Sequence, residues 1–250
     1  DEETKISYQY LGKVIQFLDE PLCLLGGWGV FFLVNSAFER EKGYPYLGSR
    51  DIDLGFNELD ALNKVMKQLE QLGFRMVSFR LFKELHSETW HELSFEDAAR
   101  TPLHYIFPLY VDLIVSKIDS SVKSKLGFTP IDEPLLKHIF KSKNFRREEK
   151  LFDKKVLVPS PALLLAMKLT SISDRDKEHK KIKDFCDLVA LCLYSGTGIG
   201  GLKKELAVFM DKHNVTQNIA NLTAEEINTV SQILSLNPSV ISELLRELQR

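Results

Sequence analysis

The feature that most constrains how this chain can fold is a change in apolar periodicity near the middle of its 250 residues. The first half alternates short apolar runs, which are typical of buried strands, with stretches whose apolar residues recur at helical spacing. The second half has helical spacing almost throughout. Strands that are separated by helices and then follow one another directly indicate an α/β (α+β) fold, with a mixed sheet flanked by helices and a mainly helical second domain. We therefore predict two domains, residues 1–118 and 119–250.

Individual elements follow from the same patterns. Asn57 fits the N-cap of a helix that ends before Gly73, and Ser160 and Pro161 fit the start of another. The predicted strands cover residues 21–25, 52–56, 74–82, 89–95, 105–115 and 156–158. The predicted helices cover residues 6–18, 28–38, 57–72, 132–142, 161–169, 177–194, 202–213, 224–236 and 239–248.

The composition excludes several classes of protein. With 44% apolar and 27% charged residues, the chain has the make-up of an ordinary globular protein. No stretch approaches the roughly 18 uncharged apolar residues of a membrane-spanning helix, and the first residues lack the pattern of a signal peptide. The three cysteines, Cys23, Cys186 and Cys192, form no CxxC motif, which argues against a disulfide framework or a structural zinc site. We therefore expect a cytoplasmic protein that does not engage a membrane.

The net charge of −2 hides an uneven distribution. Residues 1–116 carry 11 Lys and Arg against 18 Asp and Glu, a net charge of −7, whereas residues 117–250 carry 22 against 17, a net charge of +5. The basic side chains concentrate in residues 137–183, which hold 14 Lys and Arg against 6 Asp and Glu. Such a segment can attract a nucleoside triphosphate or the backbone of an RNA, although a solvated helical surface also explains it.

Two acidic residues, Asp51 and Asp53, lie two positions apart at the start of the predicted strand 52–56. This spacing points both carboxylates to the same face, so that they can bind one divalent cation such as Mg²⁺. A second Asp-x-Asp, Asp174 and Asp176, lies in a polar stretch, which shows that chance also supplies such pairs. Two acids at the solvent-facing side of a strand remain the alternative.

A third acid, Asp112, interrupts the apolar run Leu109–Val115. A carboxylate in such a strand is costly unless it is hydrogen-bonded, paired or bound to a metal ion, so a structural salt bridge is the alternative to a functional role. Three carboxylates on neighbouring strands are what a two-metal phosphoryl-transfer site needs.

The pair Gly26–Gly27 separates an apolar run from a predicted helix. Glycine lets the backbone approach a phosphate, and the start of a helix favours negative charge. A simple tight turn is the alternative, since the spacing matches neither a P-loop nor a dinucleotide-binding motif.

Together, Gly26–Gly27, Ser49-x-Asp51-x-Asp53 and Asp112 resemble the signature of the polymerase-β-type nucleotidyltransferase superfamily. The run from Val158 to Leu169, with Lys168, followed by Arg175 and by the Lys-Asp-x-x-Asp-Leu segment that holds Asp184 and Asp187, resembles the AbiEii (MenT-like) toxin nucleotidyltransferases in particular. The resemblance covers roughly residues 20–195.

This resemblance implies transfer of a nucleoside monophosphate from a nucleoside triphosphate to a hydroxyl, by a catalytic domain over residues 1–118 and a helical domain over 119–250 that completes the nucleotide site. The acceptor would be a tRNA 3′ end or a protein side chain, and a cognate antitoxin would be a partner. Two Mg²⁺ ions, or Mn²⁺ in their place, would be the cofactors. The implied catalytic residues are Asp51, Asp53, Asp112, Lys168 and Asp184, of which the first three bind metal. The implied nucleotide-binding residues are Gly26, Gly27, Ser49, Arg50, Lys168, Arg175 and Asp187.

Alternatives stay open for the residues and for the function. Lys168 in an apolar helix can be a snorkelling lysine, and Asp184 and Asp187 can pair with nearby lysines on a helix surface. A small-molecule nucleotidyltransferase of the antibiotic-modifying type would use the same chemistry. A non-catalytic binding protein with a nucleotidyltransferase fold is the alternative from another class.

Overall fold

A computed structural model of the chain describes residues 1–19, 22–57, 59–78, 80–118, 129–173 and 175–250. Five predictions touch residues outside these ranges: the first strand at Pro21, the helix 57–72 at residue 58, the strand 74–82 at residue 79, the second Asp-x-Asp at Asp174, and the predicted domain 119–250 at its start. The chain divides into two compact units. The sheet unit comprises Asp1–Trp28 and Gly48–Pro159, and the helical unit comprises Gly29–Leu47 and Ser160–Arg250.

The sheet unit holds eight strands in the residues that the structure describes, with helices on the sheet. The strands are β1 (Leu22–Leu24), β2 (Ile52–Phe56), β3 (Arg75–Val77), β4 (Arg80–His86), β5 (Ile106–Val115), β6 (Ile131–Asp132), β7 (Arg146–Leu151) and β8 (Lys154–Pro159). The helices are α1 (Glu2–Phe17), the start of α2 (Gly26–Lys42), α3 (Leu59–Gln71), α4 (Phe95–Arg100) and α5 (Lys137–Lys141). Helix α1 packs against β8, and α3 packs against β2.

The sheet has the strand order β3-β4-β5-β2-β1-β8-β7, with β6 beside β5. The pairs β2–β5, β1–β8 and β5–β6 are parallel, whereas the remaining pairs are antiparallel. A mixed sheet flanked by helices confirms the predicted fold class. Pro108 lies in the part of β5 that precedes the pairing with β2, which starts at Val111. Proline is tolerated there because, among the described strands, β2 does not pair with β5 at this position.

Two strand predictions on the acidic half are wrong. Residues 74–82 form not one strand but the hairpin of β3 and β4, because the chain reverses at Ser78, whose φ is +58°. Residues 89–95 form no strand: Trp90 turns the chain at a φ of +59°, and a single bridge joins Leu85 to Glu92. Helix α4 then starts at once, because the Ser94 side chain accepts the Asp97 N–H and caps it.

The segment 132–158 also differs from its prediction. The predicted helix 132–142 is reduced to α5, since β6 takes Asp132 and a short 3-10 turn covers Pro134–Leu136. Strand β7 was missed because its charged residues hide the alternation. It lies at the end of the strand order, where charged side chains are common on an edge strand. A turn with positive φ at Phe152 and Asp153 joins it to β8.

The helical unit is built around α6 (Pro161–Ser173) and α7 (Glu178–Tyr194), which pack against each other. Almost every residue of α6 is buried, so this helix has no solvated face over most of its length. As predicted, Ser160 caps it through a hydrogen bond from the Leu163 N–H. The other helices of the unit are the remainder of α2, α8 (Ile199–Leu206), α9 (Lys212–Ala220), α10 (Ala224–Leu234) and α11 (Pro238–Gln249).

The predicted helix 202–213 is wrong, because α8 ends at Leu206 and the side chain of Asp211 caps the new helix α9. Helices α10 and α11 confirm their predictions within two residues at each end. Helices α9, α10 and α11 pack on α6 and α7, so the last fifty residues complete the core of the helical unit.

The compact units do not follow the predicted limits at residue 118. Strand β8 pairs with β1, which places the chain up to Pro159 in the sheet unit. The assignment of catalysis to residues 1–118 and of nucleotide binding to 119–250 stays a prediction. Across the described part of the chain, no helix is by itself long and apolar enough to cross a membrane, although the bent pair α7 and α8 together has the required length and composition.

Candidate active site

The predicted metal-binding acids lie together in the sheet unit, and we call Asp51, Asp53 and Asp112 the acid row. Asp53 on β2 and Asp112 on β5 are direct partners in the parallel pairing of these two strands. Asp51 comes immediately before β2. Asp112 is buried, whereas Asp51 and Asp53 are half-buried, so the row lies at the boundary between core and solvent.

Arg80 on β4 joins the acid row from the other side of β5. It is the partner of Asp112 in the antiparallel pairing of β4 and β5. Its Nε and Nη2 donate to Oδ1 and Oδ2 of Asp112, at 2.6 Å and 2.9 Å. Nη2 also lies 3.2 Å from Oδ2 of Asp51. The guanidinium group therefore binds two of the three acids, one of them through the bidentate geometry that favours arginine.

The environment of Arg80 keeps it charged. Its guanidinium carbon lies 3.8 Å from the centre of the Tyr110 ring, in a cation–π contact. Burial works to lower the pKa of Arg80, but the hydrogen bonds and charges of Asp112 and Asp51 outweigh it and raise the pKa. Sequence analysis missed Arg80, because only the register of β4 against β5 brings it to Asp112, and that register cannot be deduced from local patterns.

Gly26 packs directly against the Asp53 carboxylate. A Cβ atom at this position would overlap an oxygen of Asp53 and would lie 2.6 Å from its Cγ. Gly26 also has a φ of +57°, a conformation that other residues adopt at a cost. The Leu25 N–H donates to the Asp53 carbonyl at 2.9 Å, which holds the end of β1 against β2. Gly26 is the first residue of α2 and Gly27 the second, so this helix starts beside the acid row.

The remaining predicted residues of the sheet unit, Ser49 and Arg50, precede Asp51 directly. Ser49 is half-buried and Arg50 is exposed. The Arg50 side chain lies 2.7 Å from the carboxylate of Glu3 and over the ring of Phe107. A nucleotide-binding role for Arg50 stays a prediction.

The donor set of the acid row suits Mg²⁺, which prefers carboxylate oxygens. In the described ranges, no three His, Cys, Asp or Glu side chains are placed so that one metal ion could contact them all as they stand. In the acid row, the guanidinium group of Arg80 supplies positive charge between Asp51 and Asp112. The residues thus suit a divalent ion by their chemistry, and Asp51, Asp53 and Asp112 are the residues that would hold it, but as they stand they are not placed to contact one ion together.

The predicted residues of the helical unit, which are Lys168, Arg175, Asp184 and Asp187, form a second group with Lys183 and Tyr46. We call this group the Lys168 cluster. The Nζ atom of Lys168 on α6 donates to Oδ1 of Asp184 on α7 at 2.5 Å. It also lies 2.7 Å from Oδ2 of Asp187, an ion pair without hydrogen-bond geometry. All three residues are buried.

Each carboxylate of the Lys168 cluster has further partners. Asp184 accepts from Nε of Arg175 at 2.7 Å and from the Ser171 hydroxyl at 3.1 Å. Asp187 accepts from the Tyr46 hydroxyl at 2.8 Å and from Lys183 at 2.5 Å. Sequence analysis missed Tyr46, since its contact with Asp187 joins residues 141 positions apart.

The charges of the Lys168 cluster stabilise one another. Burial alone would lower the pKa of Lys168, but the carboxylates of Asp187 and Asp184 outweigh it and raise the pKa above its usual value. Burial likewise works to raise the pKa of Asp184, but Lys168 and Arg175 lower it to about 2. The alternative of a snorkelling lysine is therefore wrong, because Lys168 is buried and ion-paired with Asp184 and Asp187. The alternative of pairing with nearby lysines holds in part, since Asp187 does pair with Lys183, but both carboxylates are buried rather than on a helix surface.

The comparison with protein families agrees with the resemblance. The family model of the nucleotidyl transferase AbiEii toxin of type IV toxin–antitoxin systems matches residues 48–240. No curated protein matches the chain. Among solved structures, an antigenic nucleotidyltransferase-like protein from Paracoccidioides brasiliensis is 15% identical, with 96% of each chain covered and a TM-score of 0.42, a likeness on which no conclusion rests. Because the family model spans most of the chain, the chain belongs to the AbiEii family of toxin nucleotidyltransferases.

Proposed function

We propose that this protein transfers a nucleoside monophosphate from a nucleoside triphosphate to a hydroxyl group and releases pyrophosphate, with the acid row as its catalytic centre. The observation that carries the proposal is the direct pairing of Asp53 with Asp112 across β2 and β5, with Gly26 packed against Asp53. If Gly26–Gly27 formed only a simple tight turn, the glycine would not need to pack against a carboxylate. The family of the chain supports the same chemistry.

Within this proposal, Asp51 and Asp53 hold the divalent ions, and Asp112 is a shared ligand. When bound, Mg²⁺ would polarise the triphosphate and make the acceptor hydroxyl a better nucleophile. Asp112 would take the proton of that hydroxyl, because it is the buried acid on the neighbouring strand. Gly26, Gly27 and Ser49 would bind phosphate oxygens, because the start of a helix favours negative charge and the missing side chain at residue 26 lets the start of α2 lie against the Asp53 carboxylate.

The Lys168 cluster would supply the basic side chains for the nucleotide, as the family resemblance implies. Lys168 and Arg175 share the carboxylate of Asp184, which holds both cations in fixed positions. Of these, Arg175 has the more exposed side chain, at 38% against 9% for Lys168. We therefore propose that Arg175 meets the nucleotide first and that Asp184 and Asp187 position Lys168.

For the acceptor, we propose the 3′ end of a tRNA, with a protein side chain as the competing acceptor. The toxin–antitoxin family supports a target that is essential to the cell, and it supports a cognate antitoxin as a partner. The basic segment 137–183 is compatible with an RNA backbone.

The experiment is incubation of the protein with each labelled nucleoside triphosphate, Mg²⁺ and total tRNA. We expect label in RNA with the wild-type protein and none with Asp51→Ala. Asp132→Asn, which changes an exposed acid on β6, is the matched control and should retain transfer. If the label appears in protein or in an added small molecule, that molecule is the acceptor instead of tRNA. If there is neither transfer nor metal-dependent nucleotide binding, the protein is a non-catalytic binding protein.

A further inference from the structure

Arg80 is the one cation that the structure places between Asp51 and Asp112 in the described part of the chain. Resting on the proposed function, we propose that Arg80 is a built-in counter-cation of the acid row, which competes with divalent metal ions and thereby makes metal binding depend on the nucleotide. It is a positioning residue, since it acts through Asp51 and Asp112.

The first step of the argument is geometric. Arg80 donates to both oxygens of Asp112, so each oxygen that a metal ion would contact already accepts a charge-assisted hydrogen bond. A third contact reaches Asp51, which precedes β2. A metal ion that is bound by Asp51 and Asp112 has to share these oxygens with the guanidinium group or displace it.

The second step concerns charge. Asp51, Asp53 and Asp112 bring carboxylates together in a partly buried place, where like charges repel each other strongly and a cation is favoured. Arg80 provides that cation before any metal arrives. A positive charge this close also repels an incoming divalent ion, whether or not the guanidinium group moves.

The third step explains why the nucleotide matters. A triphosphate carries negative charge that offsets the charge of Arg80, so a metal–triphosphate complex meets less repulsion than a bare ion. Tyr110 can keep the guanidinium group in place by its ring contact while the hydrogen bonds to Asp112 loosen. The acid row would therefore bind bare metal weakly and the metal–nucleotide complex well.

The alternative is that Arg80 only orients Asp112. The two roles predict opposite results for metal binding, because a lost competitor raises metal affinity, whereas a lost orienting contact lowers it. Arg75 offers a matched control: it lies on the same hairpin, where it pairs with Glu84 and stacks on Phe82, and neither partner belongs to the acid row.

The test is the affinity of the purified full chain for Mn²⁺ alone, measured by electron paramagnetic resonance or calorimetry without nucleotide. We expect Arg80→Gln to bind Mn²⁺ about tenfold more tightly than wild type, which is the scale of one charge-assisted hydrogen bond. Arg80→Lys keeps the charge but loses the bidentate geometry, so its affinity should lie between the two. Arg75→Gln should match wild type.

A second readout covers a loss of stability. We expect Arg80→Gln to melt at a lower temperature than wild type without metal, and Mn²⁺ to raise its melting temperature more than that of wild type. If Arg80→Gln does not fold, tighter Mn²⁺ binding by Arg80→Lys supports the proposal. Equal or weaker Mn²⁺ binding by the folded Arg80 variants overturns it, even where wild type transfers nucleotide. If neither wild type nor any Arg80 variant binds Mn²⁺, and Asp53→Asn does not change the measured Mn²⁺ binding, the metal site itself is overturned.

Discussion

The acid row and the Lys168 cluster both bring carboxylates together with basic side chains, but they differ in how closed they are. In the acid row, the side chains of Asp51 and Asp112 are 26% and 10% exposed to solvent. Strand register sets the position of Asp112 against β2. In the Lys168 cluster, Asp184 and Asp187 are 3% and 0% exposed, and Lys168, Arg175, Lys183 and Tyr46 surround them. The difference teaches that the acid row is the more open of the two groups, whereas the buried core of the Lys168 cluster joins α6 to α7.

The largest effect on stability should come from disrupting the Lys168 cluster. Lys168→Met leaves Asp184 and Asp187 buried without their shared cation, which should lower the free energy of unfolding by roughly 3–5 kcal/mol. Chemical denaturation measures this change. Lys177→Met, on the exposed first residue before α7, is the control and should stay near wild type. A stable Lys168→Met protein would show that the cluster does not hold the two helices.

The next largest effect concerns nucleotide transfer at the acid row. Gly26→Ala forces a side chain against the Asp53 carboxylate and should reduce nucleotide transfer by up to about a hundredfold, the scale expected for an approximately 1 Å misplacement. Gly43→Ala has the same kind of positive φ, +78°, but meets no atom within 4 Å, so it isolates the cost of backbone strain. Equal transfer rates in the two variants would contradict the role of Gly26 at the acid row.

The stability that the Lys168 cluster contributes should also depend on pH. Asp184 has a folded pKa of about 2, below its ordinary value of 3.8, so the unfolded chain binds its proton more readily. The resulting stability, about 2 kcal/mol, is present above pH 5 and is lost as the pH falls toward 2. Arg175→Gln removes one of the cations that lower this pKa, so its difference in unfolding free energy from wild type should shrink between pH 6 and pH 2.5. A difference that is constant over this range would contradict the assignment.

The smallest effect should follow from Tyr46→Phe, which removes one hydrogen bond to Asp187 and leaves Lys183 in place. We expect a loss of about 1 kcal/mol in the free energy of unfolding, because one oxygen of a buried carboxylate loses a donor. Tyr44→Phe, which removes a hydroxyl bonded to Ser235 at the surface, is the matched control. A loss as large as that of Lys168→Met would mean that Tyr46, rather than Lys168, keeps the cluster together.

The two groups also differ in how far the sequence could predict them. Asp53 and Asp112 are recognisable from local patterns, because alternation along a strand sets which way their side chains point. Asp51 is recognisable from its spacing to Asp53, although it lies just before β2. Arg80 and Tyr46 could not be found this way, since their roles depend on a strand register and on a contact between distant residues. The same limit explains the missed edge strand β7 and the hairpin at Ser78, where charge and backbone conformation override the apolar pattern.

In the helical half, local sequence signals predicted most elements correctly. The helices α6, α7, α10 and α11 were predictable from spacing, caps and proline positions, because these signals act within a few residues. The break between α8 and α9 was not, since Asp211 caps a new helix inside a stretch with continuous helical spacing. That Lys168 is buried between two aspartates depends on the packing of α6 on α7, which no local signal records.

The central claim is the proposal that Asp53 serves the chemistry of the acid row rather than the stability of the fold. The most direct test measures nucleotide transfer and the free energy of unfolding for Asp53→Asn in the same preparation. We predict that transfer falls at least about a hundredfold while the free energy of unfolding changes by less than about 1 kcal/mol. Transfer at the wild-type rate, or a loss that only follows the unfolded fraction, would contradict the account.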